Sequence, residues 1–204
     1  EFFGPVLSVL VSDDLDHAIS LANQTPYGLT AGFHSLDAQE VSSFIARMNA
    51  GNLYINRTTT GAIVRRQPFG GRKDSCFGPG AKAGGPNYVA LFTRLEDANT
   101  PLAQRISLPP RTERLLSGIG RTFPSLLTSL RQDAQRFEAE AQEHFRIVHD
   151  PSQLRGQENR FRYQARPRML IIAFPGTTPS QLCRAGIVAV TAGVPFRILI
   201  TNDS

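Results

Sequence analysis

The sequence predicts an α/β protein built in two pieces. Three observations carry this. Strand-length apolar runs alternate with helical periodicity over roughly the first ninety residues, a Gly- and Pro-rich stretch interrupts them, and the alternation resumes near the C-terminus. The chain has 204 residues, room for one full domain or two partial ones. Hydrophobic residues make up 41% and charged residues 19%, which excludes a collagen-like chain and argues against wholesale disorder.

Pro5–Val11 is an apolar run of strand length. Asp13, Asp14 and Asp16 supply a cap and negative charge for a helix through about Asn23, closed by Thr25-Pro26-Tyr27-Gly28. Thr30–His34 reads as a strand. Asp37 followed by Glu40 has the spacing of a capping box, and the helix after it places Val41, Phe44, Ile45 and Met48 on one face before Gly51. Asn52–Asn56 is the next strand. From Arg57 to Pro86 periodicity vanishes and glycines accumulate. A stretch this long and irregular, carrying Phe69, Phe77 and Tyr88, reads as an ordered functional loop. Asn87–Thr93 returns to strand character.

A linker is expected over 95–111, marked by Asn99-Thr100-Pro101 and Pro109-Pro110. It separates residues 1–94 from residues 112–204. Beyond it Leu126, Leu127, Leu130, Ala134, Phe137, Ala141, Phe145 and Val148 form one helical stripe. Arg160–Tyr163 alternates like a half-exposed strand. Met169–Phe174, Pro179–Ala192 and Phe196–Ile200 read as a strand–helix–strand unit. The chain opens on Glu1 and closes directly after an apolar run, so an excerpt from a longer polypeptide is expected, its second piece cut in mid-domain.

Chemistry that stands alone is scarce. No run approaches membrane-spanning length. Cys76 and Cys183 show no metal or disulfide pattern, which points to a reducing cytoplasm. Metal-ligand spacing is absent among the four histidines. The net charge is +5, carried almost wholly by arginine, with Lys73 and Lys82 the sole lysines. Gly78–Lys82 looks like a phosphate loop but has the wrong spacing. Cys76 beside Lys73 invites a reactive-thiol reading, against the plainer one of a small loop residue. Arg155–Arg168, with Phe161 and Tyr163 interleaved, has the ingredients of a single-strand-binding surface. A strand with one basic, solvated face explains it as well, and no nucleic-acid partner is expected.

Two signals are more specific. Glu1-Phe2-Phe3-Gly4-Pro5 resembles the E-x-F-G-P element of aldehyde dehydrogenases, and Gln67-Pro68-Phe69-Gly70-Gly71-Arg72-Lys73-Asp74-Ser75 resembles that superfamily's PFGG-x-x-x-S loop. Asn56–Val64 and Gly78–Tyr88 resemble, more narrowly, the L-glutamate-γ-semialdehyde (1-pyrroline-5-carboxylate) dehydrogenase module of bifunctional proline utilization A proteins. So does the segment from His149 to Tyr163. The resemblance implies the C-terminal part of an aldehyde dehydrogenase catalytic domain, followed by the start of a second, non-catalytic α/β domain of aldehyde-dehydrogenase-like fold.

That family oxidises glutamate semialdehyde to glutamate in proline catabolism with NAD, and FAD belongs to an upstream proline dehydrogenase domain. By resemblance, Glu1 would hold the nicotinamide ribose hydroxyls and Phe3 would flank the ring. A carboxylate suits the first role because it accepts both hydroxyl hydrogens. Gly61 and Ala62 would offer backbone N–H groups to the substrate's α-carboxylate, and Phe69 would pack on its aliphatic chain. The plain alternatives are an exposed terminal carboxylate at Glu1 and a core phenylalanine at Phe69. The family's thiol nucleophile, general base and oxyanion asparagine precede E-x-F-G-P, so no catalytic residue is expected in this chain. The turn Phe174–Thr178 lacks the glycines that pyrophosphate needs, so no nucleotide is expected there. Expected partners are the substrate, the rest of the same polypeptide and, as an open question, further copies of it. The rival reading is a non-catalytic assembly module with the same fold.

Overall fold

A computed structural model describes residues 4–78, 80–96 and 106–201. The chain forms two compact units. The first holds residues up to Glu96 together with Pro151–Asn159, and the second holds the remainder.

In the first unit, α1 (Leu15–Asn23) starts where Asp14 accepts the amide of His17 at 2.7 Å. β1 (Tyr27–Gly28) and β2 (Thr30–Phe33) follow, then α2 (Ala38–Arg47). Asp37 caps α2 by accepting from Gln39 and Glu40, but the capping box is only half formed. Glu40 accepts instead from the Ser35 hydroxyl at 2.6 Å, and that same hydroxyl oxygen accepts the Asp37 amide. β3 (Asn52–Ile55) pairs parallel with β2, Thr30 opposite Asn52. Ile19, Phe44, Met48 and Ala50 form the core, with Phe44 stacked on Phe33 at 4.8 Å. The periodic positions chosen for α2 are therefore the ones that bury.

Two expected strands are absent. Pro5–Val11 has no strand partner among the described residues, and Leu7 is 87% exposed. An apolar run of this kind becomes a strand only when neighbours take up its amides and both its faces. Val89–Phe92 forms a 3₁₀ turn in place of a strand. There Leu91 bonds back to Tyr88 and the Tyr88 and Phe92 rings meet at 5.6 Å, so a local contact replaces a ladder.

Of the span read as linker, residues 97–105 lie outside the described residues. In the second unit α3 (Pro110–Thr122) begins with proline at its first position, where the missing N–H costs nothing. The long stripe predicted from Leu126 onward divides. After Phe123 a 3₁₀ turn at Pro124–Leu126 leads into α4 (Leu127–Glu140), which ends in a π-helical turn at Ala141–Phe145. Leu130, Ala134 and Ala141 are buried as the periodicity requires, whereas Phe145 and Val148, beyond the turn, are exposed. Arg160–Tyr163 forms a single bridge, Phe161 to His149, and no longer ladder. β5 (Met169–Ala173), α5 (Pro179–Thr191) and β6 (Phe196–Ile200) match the expected unit, with β5 and β6 parallel. Leu116, Ile119, Leu130, Ala134 and Ile187 make its core.

Candidate substrate-anchor loop

The Gly-rich stretch of the first unit is an ordered loop folded back on β3. The chain leaves β3 through Asn56, whose backbone is left-handed (φ 54°) and whose side-chain amide bonds the Ser35 backbone at both its amide and its carbonyl. Asparagine is among the few residues that tolerate this conformation. Arg57 then lies over the Tyr54 ring at 5.3 Å and donates to the Thr60 carbonyl. Tyr54, only 5% exposed, donates its hydroxyl to the Gly61 carbonyl at 2.8 Å. Gly61 is at φ 127°, a region that L side chains rarely adopt. A Cβ there would fall 2.6 Å from the buried Gln67 Oε1.

From Ile63 the chain makes a tight turn in which Ile63 and Gln67 exchange both backbone hydrogen bonds. Arg65, at φ 64°, donates its amide to the Gly84 carbonyl. The guanidinium of Arg66 donates to Gln157, which ties Pro151–Asn159 into this unit. Phe69 is half-buried, and its backbone exchanges two bonds with Ala83, at 3.0 and 2.9 Å. β4 (Arg72–Lys73) then pairs antiparallel with β1.

Gly61 and Ala62 are exposed. Among the described residues their N–H groups have no acceptor. The carbonyl of Gly61 is taken by the Tyr54 hydroxyl, which leaves these two adjacent amides open. The Gln67 side chain packs beside Gly61. The Gln67 Oε1 itself is buried without a hydrogen-bond partner, against the Gly61 backbone. Glu1 and Phe3 lie outside the described residues.

The sequence reading missed Lys82. Its ammonium donates to the carbonyls of Gly51 (2.6 Å) and Gly70 (2.7 Å) and to Asn52 Oδ1 (3.0 Å). Burial, reinforced by the neighbouring Arg72 guanidinium, pulls its pKa down to about 8. The available signal was compositional. In a chain with so much arginine, the two lysines both fall in this loop, and a compact ammonium suits converging carbonyls where a planar guanidinium does not. Lys73 is likewise committed, to the Asn23 and Thr25 carbonyls at 2.8 Å, so its charge is directed away from Cys76. Cys183 packs against the second unit's core, where burial pushes its thiol pKa up. Phe161 and Tyr163 pack on one another at 5.0 Å, and Tyr163 on Phe145 at 4.9 Å, so these rings are engaged with protein. Among the described residues no His, Cys, Asp and Glu cluster could hold a metal, and no helix is long and apolar enough to cross a membrane.

Residues 1–97, just under half of the chain, match the model of the aldehyde dehydrogenase family. More particularly, the chain is 43% identical over 102 residues to a 1-pyrroline-5-carboxylate dehydrogenase of Bacillus thuringiensis, covering 50% of this chain and 19% of that protein. The structure of Proline Utilization A from Corynebacterium freiburgense matches 98% of this chain and 20% of its own length, at 38% identity and a TM-score of 0.80. A Thermus 1-pyrroline-5-carboxylate dehydrogenase solved with bound NAD is 47% identical over 44% of this chain and 17% of its own, with a TM-score of 0.41. The chain thus spans about a fifth of the length of the curated relatives it matches.

Proposed function

We propose that this chain carries the substrate-anchoring part of an NAD-dependent L-glutamate-γ-semialdehyde dehydrogenase that acts in proline catabolism within a longer cytoplasmic polypeptide. The observation that carries the reading is the pair of exposed, unpartnered amides at Gly61 and Ala62, with the intervening Gly61 carbonyl fixed by Tyr54. The amides would take the α-carboxylate, and Phe69 would line the aliphatic chain between carboxylate and aldehyde. In the overall reaction the aldehyde carbon gives a hydride to NAD⁺ and gains an oxygen from water, leaving glutamate, NADH and protons. Glu1 and Phe3 would contact NAD, while the nucleophile and base come from outside this chain.

The second unit, which already includes Pro110 and Arg111 in α3 and excludes Pro151–Asn159, is proposed to begin a non-catalytic domain. The N-terminus of α5, where a dinucleotide's phosphates would sit in a binding fold, carries a capping box that takes up the Gln181 amide. Thr178 Oγ1 accepts the Gln181 amide at 3.3 Å, and Gln181 Oε1 accepts the Thr178 amide at 2.9 Å.

The test is NADH production by the full-length protein with glutamate semialdehyde and with pentanal, which has the same chain length and no carboxylate. The anchor predicts a specificity constant at least one to two orders of magnitude higher for the semialdehyde, from roughly 1.5–3 kcal/mol of charge-assisted hydrogen bonding. Equal constants would remove the anchor, and no turnover of either would leave the assembly-module reading.

A further inference from the structure

Phe69 can select a substrate only if its backbone is held still, and nothing about a Gly-rich loop guarantees that. Here the flanking peptides are fixed from one side by two side chains. Asn52 Nδ2 donates to the Pro68 carbonyl at 3.0 Å, and Asn52 Oδ1 accepts the Gly70 amide at 3.4 Å. Lys82 Nζ donates to the Gly70 carbonyl and to Asn52 Oδ1, so the two side chains brace each other. Its third proton goes to the Gly51 carbonyl, beside the start of β3. The three protons of an ammonium thus meet three oxygens. The approach is close: a Cβ on Gly51 would lie 1.8 Å from the Gly70 oxygen.

We infer that Lys82 and Asn52 are positioning residues for substrate selection, a clip that fixes the peptides on both sides of Phe69. This inference rests on the semialdehyde dehydrogenase reading above. Phe69 would touch the non-reacting part of the substrate, which is bound alike before and during the chemical step. Loosening it therefore raises KM and leaves kcat nearly unchanged.

The experiment uses the full-length protein with Lys82→Met, and with Asn52→Asp as a milder variant that keeps an oxygen for Lys82 and loses the bond to Pro68. Each is compared with wild type for KM and kcat on glutamate semialdehyde, for KM on NAD, and for melting temperature. The expected result for Lys82→Met is a rise of roughly ten-fold in semialdehyde KM, the signature of lost uniform binding. Asn52→Asp should show a smaller rise in the same parameter, and KM for NAD should not move. An active wild type whose variants lose melting temperature alone, or lose kcat at constant KM, would overturn the clip and leave the functional reading standing. A wild type inactive on semialdehyde would overturn both.

Discussion

Removing the guanidinium of Arg146 should destabilise the second unit by about 3 kcal/mol, and the reason is its partner. Glu138 is 1% exposed. Its carboxylate accepts from Arg146 at 2.5 and 2.9 Å and from Gln142 at 2.8 Å. Arg146 also donates to the Thr191 carbonyl at 3.0 Å, which joins the π-helical turn to the end of α5. Burial alone would raise the Glu138 pKa. The bonds from Arg146 and Gln142, with the Arg146 charge, outweigh burial and hold it below the ordinary carboxylate value. Breaking a buried pair from one side costs roughly 3–5 kcal/mol. Because the Arg146 side chain is 43% exposed and water can reach the gap, the lower end applies.

The assay is native-state amide exchange at Leu130 and Ala134 in α4, which reports the opening of this unit, in wild type and Arg146→Met. About 3 kcal/mol is roughly a hundred-fold faster exchange. The sign with pH follows from the depressed pKa. The contribution is fully present above the ordinary carboxylate value of 4.5 and is lost as pH falls through the lower folded value. The gap between wild type and variant must therefore be widest near neutrality and narrow in acid. Replacing both partners, Glu138→Leu with Arg146→Met, should recover most of the loss. A single-variant cost under about 1 kcal/mol, the range of an exposed pair, would refute the argument, as would a gap independent of pH.

Two further outcomes are expected. Asp37→Ala frees the amides of Gln39 and Glu40 and should cost about 1 kcal/mol, read as faster exchange through α2, with no change in α4. Gly61→Ala places a Cβ at φ 127° against Gln67 and should strain the anchor by roughly 1–2 kcal/mol. In the full-length protein the semialdehyde's specificity constant should fall more than pentanal's, and equal falls would show that Gly61 serves the turn alone.

Helices α1, α2, α4 and α5 and the parallel pairs were legible because their signals are local, whereas α3 went unread and its start at Pro110 and Arg111 lay in the expected linker. Asp14, Asp37 and Thr178 cap where a short polar side chain precedes an apolar period, and Phe44, Leu130 and Ala134 bury where the period places them. The stripe from Leu126 gives no sign of the π-helical turn at Ala141–Phe145, past which Val148 is exposed. Pro5–Val11 and Asn87–Thr93 failed for a different reason. β propensity records what fits a pleated, half-buried surface, and it becomes a strand only where another strand supplies the ladder.

The loop shows the same limit at the level of function. Phe69, Gly61 and Ala62 stood out through motif, but what holds them comes from far along the chain. Asn52 reaches Pro68 and Gly70 from β3, Tyr54 reaches Gly61, and Lys82 reaches back to Gly51. None of these bonds has a period, so a periodicity reading finds none of them. They leave a compositional trace only, in an ammonium retained among guanidiniums and in glycines where backbone meets backbone. Gly51 and Gly71 follow this rule, since a Cβ on either would lie within about 2 Å of a facing carbonyl oxygen, Gly70's and Ser75's respectively. In such a loop glycine permits the close approach, and the long-range polar side chains then fix it. The residues proposed to touch substrate and the residues that hold their backbone in place are therefore different sets, and only the first was visible in a motif.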